Sequence, residues 1–173
     1  MTMGNLRYLP GLRNPLHALD LTVEEVGRLV EVGRTAFDVL ILDVGSVLNT
    51  ALALEGIRRA THRYCVASDR MSVQYPYHQQ MDGILKPLGC GPETWMLVGM
   101  QMYNHKLEQL AKTLGMLPLA GLAYQDRFDF YAEQQTDPMQ HWLGVDRHVK
   151  RALETIAASV RSPAGRKERR GTA

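Results

Sequence analysis

Cysteine is scarce in this 173-residue chain: Cys65 and Cys90 are the only two, and neither belongs to a Cys-x-x-Cys pair. That spacing argues against a dithiol redox motif and leaves both as small buried or half-buried side chains. Lysine is scarce too. The five are Lys86, Lys106, Lys112, Lys150 and Lys167, and none stands in a Gly-x-x-x-x-Gly-Lys setting. A phosphate-binding loop needs that run, because its backbone amides and its ammonium group hold the phosphates. Nucleotide hydrolysis by this chain alone is therefore not expected. Gly89-Cys90-Gly91 lacks a third glycine and a preceding strand, and reads as a turn.

Further absences narrow the class. No apolar run approaches the roughly 18 residues of a membrane span. Met1 to Pro10 shows no basic region followed by an apolar core, so no secretory signal is visible and a reducing cytoplasm is the expected compartment. The six histidines form neither His-x-x-x-His nor His-Glu-x-x-His, which disfavours a zinc site. No Gly-x-Ser-x-Gly elbow occurs, which disfavours an α/β-hydrolase.

What is present reads as one globular domain over residues 1–160, with 45% hydrophobic and 22% charged residues in ordinary balance. Residues 161–173 read as a basic, disordered tail. Arg161, Arg166, Lys167, Arg169 and Arg170 face Glu168 alone there, so the tail carries +4 and the rest −2. Its bland role is solubility; its sharper one is contact with DNA or an anionic membrane surface, which would place the chain peripherally on a membrane.

Near-continuous apolar runs predict strands covered on both faces. They are Phe37 to Asp43, His62 to Ala67 and Thr94 to Met100, with a short run from Leu117 to Ala123 and a first candidate from Asn5 to Leu9. Helical periodicity falls between them. Thr22-Val23-Glu24-Glu25 is a capping box, followed by the stripe Val23, Val26, Leu29, Val30, Ala36. Further helices are expected over Thr50 to Ala60, Met71 to Leu88, His105 to Leu114 closed by Gly115, Asp126 to Gln135, and a last one striped by Val145, Val149, Ala152, Leu153, Ile156 and Val160. Alternating strands and helices predict an α/β fold with a mostly parallel sheet and flanking helices.

In such a sheet ligands gather at the carboxyl ends of the strands. Asp43 is the first candidate there. It closes an apolar strand and precedes Val44-Gly45-Ser46. A carboxylate so placed can hold Mg²⁺ directly or through water. It can equally satisfy a loop amide or cap the next helix, and spacing does not choose between these.

The order of segments resembles ParA/MinD-type ATPases, the deviant-Walker branch of P-loop proteins. The likeness runs from Leu6-Arg7-Tyr8-Leu9-Pro10-Gly11, through the capped helix and Phe37 to Asp43, to Thr61 to Ser68 and Trp95 to Met100. It ends in Leu114-Gly115-Met116-Leu117-Pro118-Leu119 and Leu122-Ala123-Tyr124-Gln125-Asp126. The resemblance implies an incomplete P-loop NTPase-like three-layer sandwich with ATP and Mg²⁺ as cofactors. Asp43 would be the catalytic and metal-organising acid, and Gly45 and Ser46 would lie in a switch-like loop. Met100, Tyr124, Gln125 and Asp126 would stand near the base. It also implies a homodimer or partner protein, and a role in positioning DNA, a septum or another cell-envelope assembly. Three departures stand out: the missing phosphate loop, Met100 where the family usually has an Asn, and Val44-Gly45-Ser46 where it often has a proline. A thioether cannot make the paired hydrogen bonds that read adenine. The chain is then either the C-terminal part of a longer ATPase or a degenerate member that binds partners without nucleotide. A phospho-receiver reading of Asp43 lacks its paired acids and late lysine.

Overall fold

The computed structural model describes residues 2–3, 6–7, 9, 20–46, 48–124 and 145–161. The chain divides into two compact units, Met1–Ala60 and Thr61–Ala173.

The first unit begins with two short strands, β1 (Thr2–Met3) and β2 (Leu6–Arg7), paired antiparallel. β2 falls inside the run expected from Asn5 to Leu9, but its ladder is a local antiparallel pair, not an edge of a parallel sheet. Helix α1 (Val23–Ala36) starts at the expected capping box. The Glu25 amide donates to Thr22 Oγ1 at 3.2 Å, and the Thr22 amide donates back to Glu25 Oε2 at 2.9 Å. Two of the helix's orphan amide donors are thereby satisfied without any tertiary contact. Helix α2 (Ala51–Arg59) uses the same device in half form, with the Ala53 amide donating to Thr50 Oγ1 at 3.1 Å. α1 packs on α2.

Between them the expected strand from Phe37 to Asp43 is not a strand. The segment is chiefly exposed and has no ladder partner among the described residues. Its even-numbered side chains nonetheless behave as one face. Leu40 lies where a Cβ on Gly33 of α1 would fall, and Leu42 and Val44 lie against Gly56 of α2. The odd-numbered face is open, with Val39 52% and Ile41 82% exposed. Hydrophobicity alone made the sequence read as a buried strand. Burial also requires a neighbour to take the backbone hydrogen bonds, and among the described residues none does.

The second unit holds a three-stranded parallel sheet, β3 (Tyr64–Ala67), β4 (Met96–Met100) and β5 (Leu117–Leu122), in that spatial order. Helix α3 (Met71–Gln80) connects β3 towards β4 and runs on into a π-helical turn, Met81–Leu85. The segment is closed by Gly89 at φ +71°, with the Cys90 amide donating to the Leu85 carbonyl at 2.9 Å and the Gly89 amide to the Lys86 carbonyl at 2.9 Å. Helix α4 (Asn104–Leu114) ends the same way at Gly115, φ +70°, where Met116 N–H reaches the Ala111 carbonyl at 3.0 Å. Both closures are the left-handed glycine cap that satisfies terminal carbonyls. Helix α5 (Arg147–Arg161) packs on β5, and Tyr64 Oη and Ser159 Oγ of β3 and α5 share a hydrogen bond of 2.8 Å. Leu97 is wholly buried and Val98 nearly so, and Leu107, Leu110, Ala111 and Leu114 are the buried residues of α4, which packs on β4 and β5.

These parallel β–α units give an α/β fold, as expected. The register of β4 on β5 slips once: Leu97 faces Pro118 and Val98 faces Ala120, so Leu119 is the extra residue of a bulge. Pro118 has no N–H to donate, which suits the outer strand of this sheet and a broken ladder. Among the described residues no helix is long and apolar enough to cross a membrane. The helix expected over Asp126 to Gln135 and the tail beyond Arg161 lie outside the described residues, while Arg161 itself ends α5.

Candidate functional site

Parallel strands bring their carboxyl ends to one rim, and each strand of the second unit delivers polar or aromatic residues there. Asp69 and Arg70 follow β3. Gln101, Met102, Tyr103, Asn104, His105 and Lys106 follow β4. Tyr124 follows β5.

The loop after β4 is the best defined part. Gln101 adopts φ +57°, the one positive φ at a non-glycine position among the described residues. Such a conformation costs roughly 1–2 kcal/mol and needs a compensating contact. Several are present. The Met102 amide donates to the Leu122 carbonyl at 3.2 Å. The Gly121 amide donates to Asn104 Oδ1 at 2.9 Å. The Met102 side chain, 3% exposed, lies over Gly99. A Cβ at Gly99 would sit 2.6 Å from Met102 Cγ, and a Cβ at Gly121 would sit 2.9 Å from the Met102 carbonyl oxygen. Gly99 and Gly121 face each other across the ladder, so the two strands supply a shared flat seat for the loop.

Around that seat the charges alternate. Arg70 Nη2 donates to Gln101 Oε1 at 3.4 Å, and Lys106 Nζ stands 3.9 Å from Asp69 Oδ2. The rings of Tyr103 and His105 stack with centroids 6.3 Å apart and planes 11° apart. Tyr103 and Tyr124 are 58% and 56% exposed, and Met100 is 40% exposed. A rim of exposed rings, donors and cations can receive a flat ring and an anionic group together.

Of the residues expected to form a site, Met100 and Tyr124 stand on this rim. Gln125 and Asp126 lie outside the described residues. Asp43, Gly45 and Ser46 belong to the first unit. Asp43 is exposed, and its Oδ1 accepts the Gly45 amide at 3.0 Å, with Gly45 at φ +66°. Asp43 thus satisfies a loop amide within its own turn. Among the described residues no group of three or more His, Cys, Asp or Glu side chains converges as metal ligands. A single exposed carboxylate already holding an amide does not fit a resident Mg²⁺ held by protein groups, since that ion prefers near-octahedral oxygen coordination.

Arg70, Gln101, Tyr103 and Asn104 were not singled out by the sequence. The signal was available: a glycine inside each of two apolar strands marks a close backbone approach.

Among its described residues the first unit holds a built polar cluster around Glu55. Glu55, 5% exposed, receives Arg58 Nη2 at 2.6 Å and Arg58 Nε at 2.8 Å, and also Arg59 Nε. Arg59 Nη1 reaches on to Glu31 Oε1 at 3.2 Å. The Arg58 hydrogen bonds, with those of Arg59 adding, hold the Glu55 carboxyl down at about 2 despite its burial. The groove lined by Val23, Gly27, Glu31 and Arg59 is walled by this bonded pair and is a packing feature of α1 on α2.

No family model, curated protein or solved structure matches the chain.

Proposed function

We propose that the chain is a partial or degenerate ParA/MinD-type domain on a P-loop NTPase-like sandwich fold, which binds a nucleotide-class ligand without turning it over alone. Its role would be partitioning or positioning of DNA or of a cell-envelope assembly, as a homodimer or with a partner protein. One observation carries the reading: three parallel strand ends gather Arg70, Gln101, Tyr103, Asn104 and Tyr124 on one rim. The ordered likeness of the segments supports it. ATP and Mg²⁺ are the cofactors that this likeness implies; the ion would be held by the nucleotide's own phosphates and water, since Asp43 is engaged in its own turn. The absence of a Gly-x-x-x-x-Gly-Lys run removes the donors that stabilise a transferring phosphoryl group, so binding without hydrolysis follows.

Calorimetric titration with ATP, with and without Mg²⁺, tests this. Micromolar binding with no phosphate release is the expected result. A silent titration on a folded protein would overturn it in favour of a second reading, a non-catalytic partner-binding protein on the same fold. The observation favouring that alternative is the open face of the Phe37 to Asp43 segment, where Val39 and Ile41 stand exposed.

A further inference from the structure

We propose that Asn104 is a positioning residue, which locks the loop after β4 so that Tyr103 is held outward as a stacking platform for a flat heteroaromatic ring. The inference rests on the nucleotide-class reading of the rim and adds how the ring is received.

The backbone is held at three successive residues, the Tyr103 carbonyl itself accepting the Lys106 and Leu107 amides at 3.1 and 3.3 Å, and the Tyr103 side chain stands exposed between its neighbours. Met102 is buried over Gly99, and its amide is bonded to the Leu122 carbonyl. Asn104 Oδ1 accepts the Gly121 amide. Tyr103 stands between two fixed neighbours and is itself 58% exposed. An exposed tyrosine on a loose loop would carry no implication. Here the fold spends two strand-interior glycines and a left-handed glutamine on fixing the residues either side of it. The fixed ring lies close to parallel with His105, with centroids 6.3 Å apart. Arg70, reached through Gln101, is a cation on the same rim for an anionic group borne by the same ligand. A ring fixed in this way stacks with little entropy loss, and the binding gain from preorganisation depends on the lock holding.

The lock and the platform separate experimentally. Asn104→Ala removes the acceptor, whereas Asn104→Asp keeps an Oδ oxygen for the Gly121 amide. Hydrogen exchange at Gly121 needs no ligand: it should speed up at least about tenfold in N104A and return towards wild type in N104D. Ring binding is read with adenosine and with ATP as probes. Tyr103→Ala should weaken both by about tenfold or more, and Tyr103→Phe, which keeps the stacking face, by less than about threefold. N104A should weaken both probes, and N104D should restore adenosine. Unchanged exchange at Gly121 in N104A overturns the lock. Unchanged affinities in Y103A, with wild type binding ATP, overturn the platform while leaving the nucleotide reading intact. Silence of wild type towards both probes sinks the nucleotide reading and the platform with it, and the exchange data still decide the lock.

Discussion

Two apolar runs of similar composition meet opposite fates in this molecule. Thr94 to Met100 enters a ladder between β3 and β5, and Leu97 is fully buried with Val98 at 4% exposure. Phe37 to Asp43 lies along two helices on one side only, and Ile41 is 82% exposed. The difference is not in hydrophobicity. It lies in whether flanking strands accept the backbone amides and carbonyls, because an apolar side chain is buried only where its own backbone has partners. The units differ in their adhesives as well. The first leans on side-chain caps at Thr22 and Thr50 and on the Glu55 ion-pair cluster. The second leans on a sheet core, with helix ends closed by glycine.

The sharpest way to break this contrast is a matched truncation. Leu97→Ala should cost about 3 kcal/mol or more in urea unfolding of the second unit, through lost transfer energy and a cavity. Ile41→Ala should change stability by less than about 0.5 kcal/mol, because its side chain is already in water. Equal effects would show that the Phe37 to Asp43 segment is as buried as β4. Gly121→Ala comes next. Its methyl would press on the Met102 carbonyl, and a loss of about 2 kcal/mol is expected, with Tyr103 displaced on the rim.

Charge makes a smaller test. Glu55→Gln should destabilise the first unit by about 1–2 kcal/mol, measured by denaturant midpoint, since it breaks hydrogen bonds to two partly exposed arginines. The same cluster sets an acid limit. A carboxyl held at about 2 against an ordinary 4.5 binds fewer protons when folded, so its stabilisation is present above about 4.5 and fades as pH falls towards 2. The second unit has the mirror-image limit. Burial pushes the Cys65 thiol up to about 11 from 9. Burial chiefly, with nearby acids adding, pushes the Tyr77 phenol up to about 12 from 10, and its hydroxyl donates to the Leu114 carbonyl at 2.6 Å. These groups keep their protons when folded, so their contribution is whole below pH 9–10 and is lost as pH rises towards 11–12. A pH series of thermal melts should show the Glu55→Gln variant less acid-sensitive and Tyr77→Phe less alkali-sensitive. A smaller loss, about 1 kcal/mol, is expected for Thr22→Ala through loss of the capping box.

Local chemistry was legible in the sequence. The capping box at Thr22, the glycine closure at Gly115 and the strands at Tyr64–Ala67, Met96–Met100 and Leu117–Leu122 all depend on neighbours within a few residues or on simple apolar runs. The helix read over Met71 to Leu88 is present, but its last turn is π-helical, a detail periodicity does not carry. Phe37 to Asp43 misled because an apolar run reports what a side chain prefers and not who pairs with its backbone. At the rim, Met100 and Tyr124 were named from the sequence. Gln101, Tyr103 and Asn104 were not, because their conformation comes from two glycines that meet only when β4 and β5 pair.

That meeting has a quiet precondition in the bulge at Leu119. Had β5 run without pause from Pro118, Ala120 would have arrived opposite Gly99 and Gly121 opposite Met100. The spare residue delays the strand by one step, and the delay brings the two bare positions into phase. A hesitation near the far end of the strand thus decides which backbone lies beneath Tyr103, and timing along the chain becomes shape at its rim.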